Sequence, residues 1–92
     1  MGFFFNTKPK VVKEEFKKIG NYLYSMGFTR KELEQVKEIF RSDLDESSIY
    51  EQGISSEEID RGIQWMRANM NVHYIPASKI DILEKALKEK LK

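Results

Sequence analysis

The chain of 92 residues contains no cysteine. That absence excludes a disulfide framework, a thiolate zinc site and a cysteine nucleophile together. There is one histidine, His73, so no second imidazole can share a metal with it or build a His-based relay. Only two prolines and five glycines interrupt the chain, and the glycines are scattered rather than gathered into a phosphate-cradling loop. No apolar run approaches the ~18 residues of a membrane span. The opening Met1–Phe5 is short and lacks the basic start of a secretory signal, so a cytoplasmic location is expected. What remains is a chain with 34% charged and 40% hydrophobic residues, the balance of a small, soluble, helix-rich protein. Its length suits one domain, residues 1–92.

The net charge of +1 conceals a polarised distribution. Residues 1–31 carry seven cations against Glu14 and Glu15, residues 32–60 carry ten carboxylates against Lys37 and Arg41, and residues 61–92 carry seven cations against three carboxylates. An acidic middle between basic ends is expected to pair internally in the folded domain, ahead of serving two oppositely charged partners.

Helix signals are dense. Pro9 suits the first turn of a helix over about 8–26, because a missing amide donor costs nothing there. Val12, Phe16, Ile19, Leu23 and Met26 form its apolar stripe. Gly27 is placed as a left-handed cap, with Phe28 folding back on Leu23. Thr29 and Glu32 form a capping box for a second helix over about 29–41, flanked by Phe28 and Leu33 as a hydrophobic staple. So tight a connection predicts an αα-hairpin. Ile54-Ser55-Ser56-Glu57-Glu58-Ile59 repeats the device and opens a third helix over about 55–70, with Ile59, Ile63, Met66 and Met70 inward. A fourth, over about 78–91, has Ile80, Leu83, Leu87 and Leu91 inward. The expected fold is all-α: a compact four-helix domain with an apolar N-terminal segment, 1–6, and an acidic inter-helix loop, 42–54.

Residues 39–58 resemble, in outline, a calcium-binding EF-hand. Asp43, Asp45 and Ser47 stand at the first, third and fifth positions, and Glu58 closes the segment. Ser48, however, replaces the glycine of the sharp turn, and Ile54 occupies the twelfth position, where the bidentate glutamate belongs. Counted back from Glu58, Ile54 falls at position eight but Ser47 at position one. Asp43, Asp45, Ser47 and Glu58 are thus the metal-ligand set of a minor reading, and the segment is expected to be an acidic connection tethered by Ile49 and Tyr50.

Lys8, Lys10, Lys13, Lys17 and Lys18 make the start of the chain basic beside Phe3, Phe4 and Phe5. This combination suits an anionic membrane surface or nucleic acid. The lysines spread over a broad face, and Asn6 stands where myristoylation calls for a hydroxyl. A helix–turn–helix laid over residues 8–41 lacks polar base-reading side chains near Thr29. Asp43 and Asp45 lack the burial that would separate their acidities for acid–base work, and Ser55, Ser56 and Ser78 are accounted for as caps. The chain is therefore expected not to be an enzyme, to need no cofactor and to take no small-molecule substrate. Trp65, Tyr24 and Ile82 lie off the main apolar stripes, and such off-stripe anchors suit a protein partner or a second copy of the chain. An interaction module is the leading expectation, with nucleic-acid or membrane-surface binding behind it.

Overall fold

The computed structural model describes residues 9–45 and 53–91. Phe3–Phe5, Lys8, Ser47, Ile49 and Tyr50 lie outside them. The described elements run β1 (Lys10–Val11), α1 (Lys13–Ser25), α2 (Arg30–Ile39), α3 (Arg41–Leu44), β2 (Ile54–Ser55), α4 (Ser56–Ala68) and α5 (Ala77–Glu89). The mainly helical fold is as expected. The count of four helices is not, and neither is the absence of strands.

The two short strands pair antiparallel, with Lys10 opposite Ser55 and Val11 opposite Ile54. Val11 and Ile54 are fully buried. Cross-strand packing of two β-branched side chains is what strand geometry favours. This pairing overturns a helix start near residue 8. Lys10 and Val11 are extended, and α1 begins at Lys13 behind Val12, which caps without a side-chain bond. Val11 therefore takes the core place assigned to Val12, and Val12 is exposed.

The end of α1 follows expectation. Gly27 has φ +100°, the Phe28 amide donates to the Leu23 carbonyl at 3.0 Å and the Gly27 amide to Tyr24 at 3.1 Å. These are the two bonds of a Schellman ending. Met26, assigned to the inner stripe, instead sits at the C-cap and is exposed. Both capping boxes form: Thr29 Oγ1 accepts from the Glu32 amide at 3.1 Å and Ser55 Oγ from Glu58 at 3.2 Å, with each glutamate returning a bond to its cap amide at 2.8 Å.

The second helix is broken. α2 ends at Ile39, Phe40 stands at φ −101°, ψ 9°, and α3 adds one further turn. Residues 42–44 are thus helical rather than loop. Leu44 explains the extra turn, since its side chain is buried in the core. Gly53, at φ +108°, then closes back on α3 through its amide, which donates to the Asp43 carbonyl at 2.9 Å. At the far end Pro76, not Ser78, is the cap of α5. Met70, placed in the inner stripe of the third helix, lies past the end of α4 and is exposed.

Side-chain pairs give the directions of the helices. Phe16 packs near Phe40, with ring centroids 6.4 Å apart, and Lys13 meets Asp45 at 2.8 Å, so α2 and α3 descend beside ascending α1. Lys79 reaches Gly27, and Lys90 reaches Glu15 at 3.3 Å, so α5 also runs antiparallel to α1. Arg67 with Asp81 and Lys88 with Asp60 set α5 antiparallel to α4. The result is an up–down bundle of four rods, the second interrupted at Phe40, around one continuous core. Each half repeats strand–helix–helix. The paired strands close one end of the bundle, and the turns between paired helices lie at the other.

Candidate functional site

The end distal to the strands concentrates the exposed apolar side chains. Tyr22, Tyr24 and Met26 belong to the last turn of α1 and its cap. Trp65, Met70, Val72 and Tyr74 belong to the end of α4 and the connection that follows. Among the described residues, every large exposed hydrophobic except Val12 lies in these two segments. Trp65 is 43% exposed, Tyr24 67% and Tyr74 75%. Ile82 differs: it is partly buried and packed against the core, because α5 touches both α1 and α4 and needs a wide apolar arc. Met70 was expected inward, and Val72 and Tyr74 were not singled out from the sequence. Their signal was three large apolar residues within a turn segment otherwise rich in asparagine.

Polar contacts tie the two turns into one platform. Lys79, in the first turn of α5, donates to the Gly27 carbonyl at 2.9 Å and to Glu32 Oε1 at 2.8 Å, and its ammonium stands 5.5 Å from the Phe28 ring centre. A cation at a helix N-terminus opposes that helix's dipole, but here it also meets the carbonyl end of α1, which favours it. Burial acts to raise the pKa of Glu32. The Lys79 ammonium and the bonds from Thr29 outweigh it and hold the carboxyl below the ordinary glutamate value. Across the platform, the Tyr74 amide donates to Gln35 Oε1 at 2.9 Å, which anchors the α4–α5 connection to α2.

His73 carries that connection. Its ring is buried, with 6% of the residue exposed. The Ile75 amide donates to Nδ1 at 3.1 Å, so Nε2 carries the proton and donates to the Met66 carbonyl at 2.7 Å. The Trp65 ring lies 6.2 Å from the imidazole, tilted by 38°. Asn69 Nδ2 donates to the Trp65 carbonyl at 2.8 Å. The residue that sequence reading left without a role is thus a structural bracket behind the exposed tryptophan.

Two lysines of the basic face, Lys13 and Lys18, pair within the molecule. Lys13 holds Asp45, and Lys18 faces Glu15 at 3.8 Å. Lys13–Asp45, Lys79–Glu32 and Lys88–Asp60 each join a basic end of the chain to its acidic middle. Lys17 is exposed on α1, and Lys10 lies in β1. The hydrogen bond from Lys13, with its charge and that of Arg41, lowers the Asp45 pKa, and the bonds that Lys88 donates to Asp60 and Glu84 raise its own. Asp81, Glu84, Lys85, Lys88 and Glu89 line a shallow depression along α5, and several of them already bond to one another or to α4.

Of the metal-ligand set, Ser47 lies outside the described residues, and Asp43, Asp45 and Glu58 are not gathered into one group. Asp43 lies in α3, Asp45 is bonded to Lys13, and Glu58 Oε1 accepts the cap amide of Ser55. Among the described residues no group of three or more acidic or histidine side chains is placed to hold an ion. No described helix is long and apolar enough to cross a membrane. Comparison with protein-family models, curated proteins and solved structures finds no match.

Proposed function

We propose that the protein is a non-catalytic interaction module that binds another protein, or a second copy of itself, through the end of the bundle carrying Trp65 and Tyr24. One observation carries this reading. Sixteen of the described hydrophobic residues are buried, yet the large exposed apolar side chains among the described residues, Val12 apart, collect at one end instead of scattering. Scattered exposed hydrophobics are ordinary; a concentration of them is the usual mark of a binding surface. Aromatic anchors braced from behind, as the Trp65 ring is by His73, lose little freedom on binding. Ile82 contributes to the core-facing arc of α5 and is secondary.

The test compares the wild-type chain with Trp65→Ala and with Tyr24→Ala/Tyr74→Ala. Sedimentation over a range of concentrations reads self-association, and retention of host proteins after nuclease treatment reads a separate partner. Loss of either in the variants, with circular dichroism unchanged, supports the surface. Retention that disappears with nuclease or falls steeply with salt assigns binding to the lysines instead. Monomeric behaviour with no variant-sensitive partner removes the proposal.

A further inference from the structure

We infer that His73 is a proton-operated latch on the α4–α5 connection. The ring is closed in on both nitrogens. Nε2–H donates to Met66, on the last turn of α4, and Nδ1 accepts the amide of Ile75, two residues on. Only the neutral Nε2–H form of the ring satisfies both bonds. A second proton must go to Nδ1, where it faces the Ile75 N–H at hydrogen-bond distance. The acceptor of that amide is then gone.

The consequence falls on the core. Ile75 is buried beside the residues of α5, and a buried amide without an acceptor is costly. The carbonyl end of α4 favours a cation, but the Nε2–H bond to Met66 is present in both protonation states. What changes is the Ile75 side alone. None of the described charged groups on the surrounding helices bonds to the ring. Arg67 on α4 is turned to Asp81 and Glu84 on α5, Glu32 and Lys79 bond to each other, and Glu38 on α2 pairs with Arg41. No carboxylate is therefore bonded to the imidazolium to compensate for the lost bond.

Protonation releases the imidazole from Ile75 and loosens residues 69–76. Tyr74 is tied to α2 only one residue from the ring, and Trp65 packs beside it, so both report the change. The inference does not rest on the interaction reading. Should that reading hold, the same latch sets whether Trp65, Val72 and Tyr74 are presented together.

The experiment is proton-exchange and nitrogen-detected NMR on the full chain, with emission of Trp65, the single tryptophan, recorded over the same series. The pH is lowered stepwise from about 7.5 until the ring nitrogens report the imidazolium or the chain unfolds. At the upper end the ring nitrogens should show the Nε2–H form. As Nδ1 gains its proton, exchange of the Ile75 amide, corrected for its intrinsic pH dependence, should quicken by roughly tenfold or more. The Trp65 emission should shift in step. His73→Gln, which keeps a donor and an acceptor but no titration, should show neither change. If that variant does not fold, the wild-type series decides alone. An Ile75 amide that keeps its protection while the ring becomes an imidazolium overturns the latch, as does a ring that starts in the Nδ1–H form or one still neutral when the chain unfolds.

Discussion

Glu32 of α2 and Lys79 of α5 occupy the same place in their helices, the third residue after the cap, and their charged ends meet at 2.8 Å. The pair stands at one end of the bundle, and the Val11–Ile54 strand pair stands at the other. Between them they tie together the two strand–helix–helix halves of the chain. Glu32 serves two structures at once, since the same oxygen caps its own helix and receives Lys79.

Removing one partner should therefore cost more than an ordinary surface ion pair. Glu32→Ala is expected to destabilise by about 2–3 kcal/mol, because a half-buried ammonium loses its charged acceptor while the cap loses its return bond. Lys79→Met should cost less. A double-mutant cycle by urea unfolding should return a coupling of about 1 kcal/mol or more.

The same pair gives the acid limb of stability a sign. The carboxyl of Glu32 is held below its ordinary value in the folded chain. Its contribution is therefore fully present above the unfolded-state pKa and is lost as pH falls through the folded one. Thermal unfolding from about pH 6 to about pH 3 should show a steeper loss in the wild type than in Glu32→Gln. Equal slopes would mean that the Lys79 bond does not form in solution.

Gly62 and Gly20 should respond to alanine with opposite signs. A Cβ at Gly62 would stand 2.6 Å from the Cε1 and Cζ atoms of Phe40, a buried ring at the α2–α3 break. The helix-propensity gain of about 1 kcal/mol is smaller than overpacking of about 1–3 kcal/mol added to the displacement of that ring, so Gly62→Ala should be destabilising. At Gly20 nothing lies within 4 Å. There the propensity term stands alone, and Gly20→Ala should stabilise by roughly 0.5–1 kcal/mol. Denaturant midpoints of the two variants measure both.

Arg67 bonds to Asp81 and Glu84 at 2.9 Å each, yet all three lie near solvent. Arg67→Ala should cost no more than about 1 kcal/mol, an effect that shrinks in molar salt. The cap substitutions Thr29→Ala and Ser55→Ala should each cost about 1 kcal/mol and be nearly insensitive to salt.

Local rules determined a good deal of this protein from its sequence. The Thr29–Glu32 and Ser55–Glu58 boxes and the Gly27–Phe28 ending each depend on a few neighbouring residues, and all three formed as the spacing predicted. So did the inward faces carried by Ile19, Leu23, Val36, Ile59, Ile63, Ile80 and Leu83, because helical period alone places them. Trp65 and Tyr24 stayed outside the core for the same reason. Tertiary structure decided what no local window contains. Val11 left the helix for a strand because Ile54, distant in sequence, offered it a fully buried partner. The second helix breaks at Phe40, whose ring lies against Gly62, and the turn beyond it carries Leu44 into the core. Lys79 acquired its partners Gly27 and Glu32 only when the two helix pairs were brought together, and the exposed aromatics of α1 and α4 came to the same end of the bundle by the same step. Helix caps and faces are short-range properties of the backbone, whereas burial and charge pairing depend on which distant groups the chain brings within reach.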